Sequence, residues 1–177
     1  MDIVRKYEQI PLSDKNVLDL VDRKANLIVY PNLVHYKTLD QMLEPYGACF
    51  LLFESKPNFG HWCCIFKVDD ETVEFFNPYG GDEHGYPDDC LNFIAAPFRK
   101  KSNQDHTYLS ALMYNSPYEL TYNEYKFQKH GHNINTCGRW CAIRLIFRFL
   151  TLDEFSNIFK RDDGDKLVTI LTMNKNQ

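Results

Sequence analysis

Positive charge is in deficit in this chain: 20 Lys and Arg stand against 24 Asp and Glu, for a formal net charge of -4. That balance gives no basic footprint for a nucleic acid or an anionic membrane surface. The one basic run, Arg99-Lys100-Lys101 beside Pro97, reads as a solvated loop. Long apolar stretches are missing too, and none approaches the length of a membrane span. The opening residues, MDIVRKYEQIPLSDKNV, lack the apolar region of a secretory signal. There is no internal repeat, low-complexity tract or interdomain linker. These absences leave one domain, residues 1–177, in a cytoplasmic type of compartment, with no membrane or nucleic-acid partner expected.

What is present is enough to build a core: 44% apolar residues and 15% aromatics. The six cysteines include the adjacent pair Cys63 and Cys64, a poor arrangement for a disulfide, so reduced thiols are expected. Thr38 is a plausible cap for a short helix over 38–44, which Pro45 and Gly47 break. The run 48–53 reads as a buried strand and 56–60 as a turn. Runs 61–68 and 71–77, separated by Asp69-Asp70, read as a tight hairpin that carries His61 and Asn77 to the same open end. Further on, 88–96 and 106–114 read as short helices stopped by Pro97 and Pro117, and 118–127 as a strand. The strongest element is 137–150, apolar nearly all round except at Arg139, Arg144 and Arg148, and so a largely buried helix capped by Asn135 or Thr136. Two more short helices follow, over 152–160 and 163–173. The class is α+β: a small mixed, mainly antiparallel sheet packed on the 137–150 helix, with other helices around it.

Chemistry concentrates at Cys137. A thiol at the first turn of a helix lies near unpaired N–H groups and the positive end of the dipole, which favour a thiolate. Gly138 beside it leaves room for an approaching carbonyl. His61 opens a strand and is a candidate base, provided a second group fixes its tautomer; Asn77 is placed to do that. Two other readings compete. His130, His132, Cys137 and Cys141 form an H-x-H…C-x3-C set of four zinc-type ligands, although its spacings depart from common ribbons and its second pair sits on an apolar helix that needs no metal to fold. Tyr118, Tyr122 and Tyr125 offer an aromatic surface for a non-catalytic binding module.

Gly60-His61-Trp62, then Phe75-Phe76-Asn77-Pro78-Tyr79-Gly80, then a glutamine, then Asn135-Thr136-Cys137-Gly138-Arg139-Trp140-Cys141, resemble the adenain-like cysteine proteases. That group holds adenovirus-type maturation proteases and the proteases of SUMO and other ubiquitin-like proteins. The resemblance spans about residues 47–150, taken as the core, and implies a papain-like fold. It implies a cysteine endopeptidase or isopeptidase with Cys137 as nucleophile, His61 as general base and Asn77 as third member, where the family usually has a carboxylate. Gln128 resembles the oxyanion-hole glutamine, with Asn133 or Asn135 as other possible donors. Trp62 resembles the wall of a narrow channel that admits small residues such as glycine. No cofactor is implied. The partner is a protein substrate, either a viral precursor or a ubiquitin-like modifier conjugate. The short chain and the NTCGRW string look more like virus or mobile-element members, which would place the protein in host-cell cytoplasm or a virion.

Overall fold

The computed structural model describes residues 2–81 and 87–173. Two short helices, α1 (Ile3–Glu8) and α2 (Asp14–Leu20), lead into β1 (Asn26–Val29), a 3-10 segment (Tyr30–His35) and α3 (Leu39–Leu43). Then come β2 (Ala48–Lys56), β3 (Phe59–Lys67) and β4 (Thr72–Phe76), and after them a second 3-10 segment (Pro87–Phe93), α4 (Ala96–Lys101), α5 (Tyr108–Tyr114) and β5 (Glu119–Tyr122). The chain closes with α6 (Cys137–Ile146), α7 (Leu152–Phe159) and α8 (Gly164–Thr172).

The five strands form one sheet in the order β1-β2-β3-β4-β5. This mixed sheet with several helices agrees with the expected α+β class. The sheet is less antiparallel than expected, however: β2–β3 and β3–β4 are antiparallel, but both edge strands pair in parallel, β1 with β2 and β5 with β4. Each edge strand is joined to its neighbour through helices, the kind of crossover that parallel pairing needs.

Successive residues of a strand point to opposite faces, and here both faces are covered. Phe50, Leu52, Trp62, Cys64 and Phe66 pack toward α6, α7 and α8. Cys49, Leu51, Phe53, Cys63 and Ile65 pack toward Met42, Leu109 and their neighbours on the other side. Burial on both faces explains why 48–53 and 62–66 read as continuous apolar runs rather than alternating ones. The core also reaches well outside residues 47–150, to Val17, Leu20 and Tyr30 on one side and Phe155, Phe159 and Val168 on the other.

Several boundaries move for identifiable reasons. Thr38 caps α3 as expected, with Oγ1 accepting from the Gln41 N–H. Pro97 does not stop a helix; it sits in the first turn of α4, where its missing N–H costs nothing. Arg99, Lys100 and Lys101 are therefore the last turn of a helix, a favourable place for cations. The 88–96 segment winds as a 3-10 segment, Pro87–Phe93, and the rest of the loop before it lies outside the described residues. The α6 helix stops at Ile146, four residues early, because Arg144 gathers the carbonyls of Phe147 and Leu150 as it pairs with Glu74. Far from being the polar exceptions on this helix, Arg139 and Arg144 are fully buried.

Candidate active site

The β2–β3 turn delivers His61. Gly60 precedes it on β3, and a Cβ there would lie 1.9 Å from the Phe53 carbonyl oxygen, so only glycine allows the two strands to close at this point. Beyond β4 the chain turns through Asn77, Pro78 and Tyr79. Asn123 fixes that turn: its Oδ1 accepts from the Asn77 N–H at 2.9 Å and its Nδ2 donates to the Asn77 carbonyl at 2.7 Å.

The Asn77 amide then orients the imidazole. Its Oδ1 accepts from the Tyr79 backbone N–H at 3.0 Å, and its Nδ2 donates to the Gly80 carbonyl at 3.2 Å and to Cys90 Sγ at 3.3 Å. A backbone N–H only donates and a carbonyl only accepts, so these bonds fix which amide atom is oxygen. His61 Nε2 lies 2.8 Å from that oxygen and must carry the proton. The lone pair is left on Nδ1. The ring also stacks on Tyr79, with centroids 4.3 Å apart and planes within 12°, and Tyr79 stacks in turn on His130 at 4.4 Å. Burial holds the His61 pKa down at about 4, against the lifting effect of the Asn77 hydrogen bond, with the His130 charge pushing the same way as burial. Asn77→Asp puts a carboxylate beside Nε2–H, so the His61 titration midpoint is expected to rise, as read from its Cε1–H resonance across pH. The same change sets an oxygen against the Gly80 carbonyl and lowers Tm.

Cys137 is the first residue of α6 and is 8% exposed. Burial pushes its thiol up, and the N–H groups of Trp62, Gly138 and Cys137 itself pull it back. Cys137 and His61 line one cleft of about 180 Å³, together with Gln128, Tyr79 and Asn135.

Gln128 is buried, its backbone N–H donating to the Pro78 carbonyl and its Nε2 to the Ile134 carbonyl at 3.2 Å. That leaves one Nε2 hydrogen uncommitted, while Oε1 has no hydrogen-bond partner among the described residues. Asn135 likewise lines the cleft and donates one Nδ2 hydrogen, to the Gln9 carbonyl at 2.8 Å, while Asn133 is exposed.

Two expected substrate-binding residues lie elsewhere. Trp62 is 3% exposed on the sheet face opposite His61, with its indole N–H donating to the Leu12 carbonyl, and it is not among the described residues that line the cleft shared by His61 and Cys137. Gly138 also faces inward: a Cβ there would meet Val17 at 3.0 Å and Trp62 at 3.1 Å, so its small size seats the helix start against α2 and β3. The zinc-type set does not converge. Cys141 donates to the Trp62 carbonyl inside the core while His130 stacks on Tyr79, and among the described residues no cluster of three His, Cys, Asp or Glu is arranged to hold a metal. The tyrosines do not make one surface either: Tyr118 and Tyr122 pack on one core, Tyr125 against Phe127 on the other. All six cysteines are free and buried.

Over 179 aligned residues the chain is 46% identical to a protein of the Sputnik virophage described as uncharacterized protein V9, covering 98% of this chain and 100% of the relative. The chain belongs to the V9 family. No protein-family model matches the sequence. A virophage relative agrees with the viral character expected from the sequence. Among the described residues of this V9-family protein no helix is long and apolar enough to cross a membrane.

Sequence reasoning missed Asn123, Cys90 and Asp165, whose importance comes only from what they touch. Asn123 carries a faint signal, a polar residue where a strand-like run ends; the other two carry none.

Proposed function

We propose that this protein is a cysteine endopeptidase or isopeptidase acting through an acyl-enzyme on Cys137. The observation that supports this best is the oriented imidazole: a histidine with Nε2–H spent on Asn77 and its lone pair on Nδ1, in the same cleft as a thiol at a helix start. His61 Nδ1 takes the thiol proton as Sγ attacks the carbonyl carbon. The oxyanion draws on the Cys137 N–H and the spare Gln128 Nε2–H, each donor worth roughly 3–4 kcal/mol. The C–N bond breaks, the imidazolium protonates the leaving amine, and water activated by His61 hydrolyses the thioester to restore the thiol.

The substrate is a protein cut after a glycine-containing sequence, and the virophage relative favours maturation of a viral precursor over removal of a ubiquitin-like modifier. Labelling of Cys137 by electrophilic glycine-ended probes, tested as a panel of ubiquitin, SUMO and precursor-derived peptides, separates these roles.

The resting pair is a neutral imidazole and a neutral thiol, since burial lowers one pKa and raises the other. Catalysis needs His61 unprotonated, so kcat/KM should hold through the weakly acidic range and fall only as pH drops through about 4. Alkylation by iodoacetamide should be slow at neutral pH and climb above the ordinary thiol range. An acid limb near pH 6.5 would show that the imidazole is not desolvated in solution. The same resting neutrality favours a second reading, an inactive binding module on this scaffold, for which Cys137 resists every acylating probe while partner binding persists.

A further inference from the structure

Resting on the protease reading, we propose that Asp165 is the positioning residue that sets the oxyanion hole, by tying the chain beside each of its two donors to one buried carboxylate. Asp165 lies in the first turn of α8, 5% exposed, in a segment with no part in the motif resemblance. One oxygen, Oδ1, accepts from Thr136 Oγ1 at 2.5 Å and from Trp140 Nε1 at 2.8 Å. The other, Oδ2, accepts from the Lys129 backbone N–H at 3.0 Å. Thr136 immediately precedes Cys137, and Lys129 immediately follows Gln128. A single rigid group therefore sets the distance between the backbone that carries the Cys137 N–H and the backbone that carries the Gln128 amide.

Three features show why such a tie is needed. The Thr136 hydroxyl does not cap its own helix, as a residue at that position commonly does, because it is spent on Asp165 instead. The Gln128 side chain keeps a buried Oε1 with no partner among the described residues, an arrangement that relaxes unless something holds the loop in place. The carboxylate itself is fixed: the Thr169 hydroxyl donates to the Asp165 backbone carbonyl, and Gly164 packs so closely on Trp140 that a Cβ there would lie 3.0 Å from its ring. On the far side of Lys129, its Nζ donates to the Asp162 carbonyl, so the first turn of α8 and the residues just before it each grip the loop once.

Asp165→Asn is the selective test. The Trp140 N–H can only donate, so the amide oxygen stays on that side and the new NH2 faces the Lys129 N–H, donor against donor. The core packing is unchanged and only the Gln128 side of the tie breaks. In the full chain labelled with 15N, the Gln128 side-chain amide resonances are expected to shift while those of Gln104, a buried glutamine distant in the chain, stay in place. In hydrolysis, kcat should fall at least tenfold with KM within about twofold. The rate of Cys137 alkylation by iodoacetamide, a displacement at carbon that builds no oxyanion, should stay within twofold of the parent. Thr136→Val breaks the other side of the tie and should move the Cys137 backbone amide instead; it serves if the first variant does not fold. Unmoved Gln128 resonances in Asp165→Asn, or hydrolysis and alkylation falling together, overturn the proposal. Shifted resonances in a protein whose parent hydrolyses nothing leave the tie standing and remove the protease reading.

Discussion

Cys137→Ala is expected to abolish hydrolysis, lowering kcat by at least about 10⁴-fold, while the circular dichroism spectrum stays that of the parent. Loss of a nucleophile removes the whole covalent route, and residual catalysis by the remaining donors is small against it. The fold should survive because α6 is held by Trp140, Cys141 and Ile143 in the core and does not depend on the thiol at its edge. His61→Ala should cost nearly as much, since without the imidazole the thiol is left with a pKa that burial has raised and nothing to take its proton. The two losses should not add, because the two side chains act as one unit. Peptide turnover followed by mass spectrometry, with the acyl-enzyme trapped by rapid acid quench, measures both. If Cys137→Ala still cleaves every substrate the parent cleaves, the proposed function is wrong.

Arg144→Ala is expected to be the most damaging single change to stability, by about 3–5 kcal/mol. The guanidinium meets Glu74 in a two-pronged pair, 2.8 Å on each side, with both side chains at most 2% exposed. It lies over the Phe66 and Phe155 rings and also holds the carbonyls of Phe147 and Leu150. Truncation leaves the Glu74 carboxylate in the core without its counterion and frees the end of α6. In a chain of this size that corresponds to a fall in Tm of roughly 10 °C, readable by scanning calorimetry. The double change Arg144→Met with Glu74→Leu should recover most of the loss, because the cost lies in the orphaned charge rather than in the absence of the pair.

The hairpin and the main helix were legible because their signals are local. Asp69-Asp70 between two β-rich runs, and the run 137–150 after Thr136, apolar except at its three arginines, need no knowledge of the rest of the chain. The juxtaposition of His61 with Asn77 followed from hairpin geometry alone. The first thirty-seven residues gave no such signal, and α1, α2 and β1 went unread. Strand β1 is four residues long and becomes a strand only by lying beside β2. Trp62 and Gly138 were misplaced for a related reason. A strand motif says that neighbouring residues face opposite ways, but not which face meets solvent, and here both faces are covered.

By itself the sequence determined the class of fold, the position of the thiol at a helix start and the order of the candidate groups along the chain, since hydrophobic period, turn residues and spacing are properties of short segments. The tertiary structure alone decided the tautomer of His61, the direction in which burial moves the pKa values of His61 and Cys137, the fate of Glu74 as a partner for Arg144, and the reach of Asp165 to both Thr136 and Lys129. Each of those depends on desolvation and on hydrogen bonds between groups tens of residues apart, which only the closed core brings together.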